Sequence, residues 1–364
     1  MRTSSPFLLI ALALACTDYN VHELEDPIKG DSDPVVRDTE QPQDTEPPPD
    51  EDCEDQTLPA YETSTDGDCE NEVETGSFNP VVKWKKSTWS VDAGSNQVMS
   101  QPIVCQVTDD DGDGDIDTDD TPDIILVSYG SGSYSTGGVL RAMSGLDGTE
   151  IFNITGAGIQ GTGGAACGDI DGDGIVEIIA LTPSSAVAFE HTGAIKWTSG
   201  SISGHIHGTS DVASITDMDG DGDVEIIAGR AIIDSGGNVV GKGSYGFGGV
   251  NGNNVGSCSF AADVDADGTQ EVVVGNALYR KDGSAVWYNG QSDGYPAVAD
   301  FDGDGDAEIA VSGNGQMRLQ DTDGTVLWTK SIPGASSSYY GGPPTVADYD
   351  GDGLPEIGVA GNGV

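Results

Sequence analysis

"DIDGDGIVEIIA" occupies residues 169–180, and its pattern returns along the chain. The copies are "DDDGDGDID" (109–117), "DIDGDGIVE" (169–177), "DMDGDGDVE" (217–225), "DVDADGTQE" (263–271), "DFDGDGDAE" (300–308) and "DYDGDGLPE" (348–356). Their first aspartates lie 60, 48, 46, 37 and 48 residues apart. A recurrence at that spacing marks a supersecondary unit used again and again, and it limits the fold more than any other feature. Each of the last five copies runs straight into a strand-like stretch: "IIALT", "IIAGR", "VVVGN", "IAVSG" and "IGVAG". A glycine turn and another strand follow, ending in Trp197, Trp287 and Trp328, while "DSGGNVV" (234–240) holds the same place without a Trp.

The unit therefore reads as strand, acidic hairpin loop, strand, glycine turn, strand and a variable link. About four short strands in about 40–50 residues fit one blade of a β-propeller. A single blade cannot bury both faces of its sheet, so neighbours must pack against it in a ring. The predicted fold is all-β, with six or seven four-stranded blades. A β-helix built of contiguous acidic nonapeptides is excluded by the wide spacing. An EF-hand array is excluded because β-branched runs, not amphipathic helices, flank the loops.

Like charges this close repel unless a cation lies between them. In each loop carboxylates fall at positions 1, 3, 5 and 9, and Gly stands at position 6. The predicted ligands are Asp109, Asp111, Asp113 and Asp117; Asp169, Asp171, Asp173 and Glu177; Asp217, Asp219, Asp221 and Glu225. The later loops supply Asp263, Asp265, Asp267 and Glu271; Asp300, Asp302, Asp304 and Glu308; Asp348, Asp350, Asp352 and Glu356. A hard cation takes six to eight oxygens at about 2.3–2.6 Å, and the position-7 carbonyl can add one. Oxygen ligands without His or Cys select Ca2+ over zinc or copper, and flexible loops select it over Mg2+. About six Ca2+ ions are expected, one per loop. A lone acidic turn is often just a solvated turn; six equivalent copies point to metal. The fourth copy has Ala266 at position 4, which leaves its ligands intact. The first copy admits two overlapping frames, the second using Asp115, Asp117, Asp119 and Asp123. One ion in the first frame, with help from Asp123, is the favoured reading.

These residues resemble the FG-GAP/VCBS repeats of integrin-α-like β-propellers. "PAVADFDGDGDAEIAVSGNG" (296–315) and "PPTVADYDGDGLPEIGVAGNG" (343–363) carry the resemblance most clearly, and only "YGFGG" around Phe247 echoes the FG half. It covers residues 77–364. It implies a seven-bladed propeller with Ca2+ in its hairpin loops and a role in adhesion or ligand binding. The last copy ends one strand after its loop. Either the chain is a truncated one, or "NPVVKW" (79–84), similar to "GAIKW" and "GTVLW", completes the final blade and closes the ring.

The chain carries 14 Lys+Arg against 62 Asp+Glu, a formal charge of -48. That excludes nucleic acid and anionic membrane surfaces as partners, since both need basic patches. Residues 1–15 read as a signal peptide: Arg2, an apolar run from Phe7 to Leu14, and the close "LALAC". The close resembles a bacterial lipobox with Cys16 lipidated; the alternative is plain secretion after a cut near Ala15. Both export the chain, and the first anchors it by lipid at the outer membrane or cell surface. Residues 16–76 are acidic and contain prolines, with too little apolar surface to fold, and read as a disordered tether. Cys53 and Cys69 are a disulfide candidate within it. Cys105, Cys167 and Cys258 remain, an odd number, so at least one lacks a partner among them.

The leading functional reading is a non-enzymatic, calcium-stabilised propeller that binds an unknown protein or glycan ligand. The alternative is a polysaccharide-binding or lyase-like protein on the same scaffold, with His205, His207, Tyr339 and Tyr340 as candidates. His205 and His207, two apart on a strand, would share a face. A third is a structural module of an envelope complex, docking through the propeller rim.

Overall fold

The apolar runs behind the acidic loops become second strands, and consecutive residues in them are buried on both faces. The computed structural model describes residues 80–250, 256–335, 341–351 and 353–361. The expected signal peptide and tether, Cys16, Cys53, Cys69, Tyr339, Tyr340 and the expected ligand Asp352 lie outside the described residues.

The described residues contain no helix. They form five four-stranded antiparallel sheets and one two-stranded sheet, each in chain order. The first sheet holds β1 (Ile103–Cys105), β2 (Asp123–Ser128), β3 (Val139–Ser144) and β4 (Glu150–Ile154). The second holds β5 (Ala165–Gly168), β6 (Glu177–Leu181), β7 (Ala186–Phe189) and β8 (Ile195–Thr198). The third holds β9 (Ala213–Thr216), β10 (Glu225–Ala228), β11 (Ala231–Asp234) and β12 (Val239–Lys242). The fourth holds β13 (Phe260–Ala262), β14 (Glu271–Val274), β15 (Ala277–Tyr279) and β16 (Ala285–Tyr288). The fifth holds β17 (Tyr295–Ala299), β18 (Glu308–Gly313), β19 (Gln316–Gln320) and β20 (Val326–Ser331); the last pairs β21 (Thr345–Ala347) with β22 (Glu356–Gly358).

Side chains alternate across a strand, so each second strand feeds two cores. Ile178 and Ala180 of β6 face the first sheet, whereas Ile179 and Leu181 face the third. Ile226 and Ile227, Val272 and Val273, and Ile309 and Ala310 divide in the same way. The sheets thus stack face to face in sequence order, the packing of a β-propeller. Each fully buried Ile or Val contributes about 1.5–3 kcal/mol of transfer free energy. A disulfide joins Cys105 of β1 to Cys167 of β5, and Cys258 is free. Burial, then the charge of Asp211, pushes the Cys258 thiol up to about 11.

Antiparallel order places the acidic loops and the turns before each fourth strand at one end of the sheets. The links to the next sheet lie at the other end. At the loop end, the indole N–H of Trp197 donates to the Ser235 carbonyl and that of Trp287 to the Thr322 carbonyl, both at 2.8 Å. Each ring covers a positive-φ glycine of the next sheet's turn, Gly237 or Gly324. Trp84 does the same to the first sheet: its N–H reaches the Gly145 carbonyl at 3.0 Å and its ring covers Gly148. The strand expected at 79–84 is not formed over 80–84, where Val81 and Val82 are exposed. A strand needs a paired neighbour, and the sixth sheet has only β21 and β22 among the described residues.

Candidate metal centres

Position 1 of each loop is the residue that shapes it. Both oxygens of Asp169 accept backbone N–H groups, Gly172 at 2.7 Å and Gly174 at 2.9 Å. Asp109, Asp217, Asp300 and Asp348 make the corresponding pair of bonds inside their own loops, and Asp263 accepts the N–H groups of Asp267 and Gly268. The curl requires left-handed backbone at positions 4 and 6, with φ of 76° at Gly172 and 88° at Gly174. Glycine adopts this without a Cβ clash. Ala266, in the fourth loop, adopts it too, at φ 56°.

Position 9 opens the second strand and is buried. Glu177 and Glu225 are 1% exposed, Glu308 is 3% and Glu271 is 5%. In each case Oε2 accepts the N–H of position 2: Ile170, Met218, Val264 and Phe301. Ile170, Met218 and Val264 are themselves core residues. The loop is therefore anchored in the core at position 2 and held by Glu at position 9, which leaves Oε1 turned to the cluster. Glu356 accepts Tyr349 N–H in the same way.

The carboxylates converge. Oxygens of Asp169, Asp171 and Glu177 lie within 4.8 Å of one another, as do those of Asp217, Asp219 and Glu225, and of Asp263, Asp265 and Glu271. In the fifth loop the group is Asp300, Asp302 and Asp304. An all-carboxylate donor set of this size fits a hard divalent cation. Position 5 has a second duty: Asp113, Asp173, Asp221, Asp267 and Asp304 each accept the N–H of position 7.

The first loop departs from the expectation. Its group is Asp109, Asp111 and Asp120; Asp117, assigned from spacing, is not part of it. The longer loop brings in Asp120, 5% exposed, which accepts N–H groups from Asp110, Asp111 and Asp117. Asp123 opens β2 as Glu177 opens β6; Oδ2 of its shorter side chain accepts Val107 N–H and the Thr108 hydroxyl, and its Oδ1 is buried without a hydrogen-bond partner among the described residues.

The loops differ in what faces those carboxylates. Lys196 Nζ lies 2.5 Å from Asp171, 3.0 Å from Glu177 and 3.3 Å from Glu190. Lys281 Nζ lies 2.8 Å from both Asp219 and Glu225. Burial opposes the charge of each lysine, but the carboxylates outweigh it and raise both ammonium groups above the usual range. Among the described residues, no Lys or Arg pairs with the fourth or fifth loop. There, burial first and then the neighbouring aspartates push Glu271 and Glu308 up to about 7.

The two lysines arrive by different routes. Every four-stranded sheet has a β-bulge in its fourth strand, at Ile151, Lys196, Val240, Val286 and Leu327. A bulge re-aims its side chain, and only in the second sheet is that residue a lysine. Lys281 comes from the turn of the fourth sheet and reaches across to the third. The position in the third sheet equivalent to Trp197 is Gly241, and a Cβ there would meet the Lys281 carbonyl at 2.4 Å. The missing Trp of the third repeat is what lets that turn approach.

At the link end, His205 and His207 sit in a turn rather than on a strand. Ile206 between them is buried in the core. Burial, then the charges of Arg230 and Lys242, pull the His205 imidazole down. Two buried carboxylates here escaped the sequence reading. Asp211 accepts N–H groups from His207, Gly208 and Ser257 and the Gln160 amide, tying three links together. Asp293 accepts N–H groups from Phe247 and Gly275, and burial pushes it up. Their shared signal is a Ser-Asp pair just before a first strand, at 210–211 and 292–293. Tyr245 and Tyr288, both partly exposed, stack at this end with centroids 3.8 Å apart.

Residues 300–359 match the FG-GAP-like repeat family. The V. cholerae biofilm matrix protein Bap1 is similar in structure, with a TM-score of 0.61 and 30% identity over 70% of this chain. A rhamnogalacturonan lyase of Bacillus licheniformis shares the fold, with a TM-score of 0.51 and 19% identity over 72% of this chain. The chain spans 43% of the first protein and 55% of the second. No curated protein sequence matches it.

Proposed function

We propose that this chain, which carries an FG-GAP-like repeat on a β-propeller fold, is an exported, calcium-stabilised adhesion or ligand-binding module. The observation that carries the reading is the return of converging carboxylates at the acidic loop of five successive sheets, with positions 1, 3 and 9 together in the second to fourth. Residues at positions 1, 3 and 9 would hold the ion, and position 5 would assist. Bound Ca2+ would cancel the repulsion among them and lock loop to strand. The role is non-enzymatic: the ion sites serve the scaffold, and the surface serves recognition. The partner is a protein or glycan, in keeping with the matrix setting of the 30%-identical V. cholerae protein. Export by a signal peptide and lipid anchoring at Cys16 complete the reading.

Extracellular Ca2+ sites bind at about 10⁻⁴–10⁻³ M, so about 1 mM Ca2+ adds about 0.4–1.4 kcal/mol per site by mass action. The test is a thermal melt of the full chain in Ca2+ and in EGTA, with a glycan array alongside. A melting temperature that falls in EGTA supports the calcium reading, and an unchanged one contradicts it. Saturable glycan binding without chain cleavage supports the binding role. Depolymerisation of an acidic polysaccharide, the mark of a lyase, contradicts it.

A further inference from the structure

We propose that Lys196 and Lys281 are built-in counter-cations that stand in for Ca2+ in the second and third acidic loops, leaving the metal to the loops without a lysine. The inference rests on the reading that the acidic loops are Ca2+ sites, and it divides them.

The two ammonium groups take the same oxygens. Each contacts Oδ2 of position 3 and Oε1 of position 9: Asp171 and Glu177 for Lys196, Asp219 and Glu225 for Lys281. Of these, Oε1 is the oxygen left over once Oε2 of the glutamate has accepted the position-2 N–H. They are also the ones a metal would need. In the fourth loop, Val264 N–H holds Oε2 of Glu271 as in the others, yet among the described residues no ammonium stands opposite Oε1. The same oxygens are reached by a bulge residue of the same sheet in one case and by a turn residue of the next sheet in the other. Two unrelated placements with one contact pattern are hard to credit to chance in a chain with only 14 Lys+Arg.

A tethered lysine acts at an effective concentration of about millimolar or above, comparable with extracellular Ca2+, and its carboxylate partners are already in place. Ca2+ must first expel it into solvent. The second and third loops would therefore stay closed when Ca2+ falls, and the propeller would keep a calcium-independent sector beside a calcium-dependent one.

The test is calorimetric titration of the full chain with CaCl2, wild type against Lys196→Met, Lys281→Met and the double variant. The expected result is one further ion bound for each lysine removed. Ca2+ binding with the same stoichiometry in wild type and variants overturns this inference and leaves the calcium reading intact. No Ca2+ binding in any of them overturns both. Should the variants fail to fold, lysine acetylation of the wild-type chain, read by mass spectrometry across a titration that shows Ca2+ binding, decides it. Lys196 and Lys281 should stay protected throughout. Reactivity rising in step with Ca2+ would show that the ion displaces them, and the inference fails.

Discussion

The third and fourth acidic loops have the same backbone curl, the same buried glutamate and the same bond from that glutamate to position 2. Yet one meets its charge with Lys281 and the other leaves Glu271 facing Asp263 and Asp265. Loop geometry is set by residues local to the repeat, whereas neutralisation is set by whatever the neighbouring strand or sheet offers. Repeats can thus share a motif and differ in chemistry. The second loop falls with the third, and the fifth with the fourth.

Several changes should break or sharpen that contrast. The largest effect is expected from reducing the Cys105–Cys167 disulfide, which closes a 62-residue separation between the first and second sheets. Loss of about 2–4 kcal/mol is expected by denaturant titration, equal with and without Ca2+, because the bridge lies outside the lysine-free loops. Lys281→Met comes next. It leaves Glu225 buried against Asp219 without a cation, at a cost of about 1–3 kcal/mol in calcium-free buffer. Added Ca2+ should restore most of that loss, and a loss unaffected by Ca2+ would argue for packing alone.

A pH effect follows. Glu271 and Glu308 titrate near 7 when folded and near the ordinary glutamate value when unfolded. Between those values the folded chain holds more protons than the unfolded one. Stability in calcium-free buffer should therefore fall as pH rises from about 4.5 to about 7. Glu271→Gln with Glu308→Gln should flatten the slope of the melting temperature against pH. An unaltered slope would place the effect elsewhere in this acidic chain. Ala266→Gly should give the smallest change. Removing a left-handed alanine relieves about 1–2 kcal/mol of strain, offset in part by about 0.5–1 kcal/mol of glycine entropy. The net gain, about 0–1.5 kcal/mol by these terms, should show as a slightly higher melting temperature.

Much of this was legible in the sequence. The spacing of the acidic copies located the loops, and the apolar run behind each located the second strands with burial on both faces. In the second, third and fourth loops the position-1 and position-9 carboxylates lie close together, whereas the first loop gathers Asp109, Asp111 and Asp120 and the fifth gathers Asp300, Asp302 and Asp304. What stayed hidden depends on register or on distant chain. Asp120 replaced Asp117 because a longer loop shifts which carboxylate folds back. Lys196 lies one residue from Trp197 in plain view, but only the bulge turns it toward Glu177. Lys281 belongs to one repeat and serves another. Asp211 and Asp293 gain their meaning from N–H groups up to 46 residues away, brought in by the links between sheets.

The measurement that bears most directly on the account is hydrogen–deuterium exchange of the full chain in Ca2+ and in EGTA, followed by peptide. Residues 263–271 and 300–308 should lose protection in EGTA, while 169–177 and 217–225 should exchange alike in both. Equal loss across all of these loops would contradict the division by lysines, and no change in any of them would contradict the calcium sites themselves.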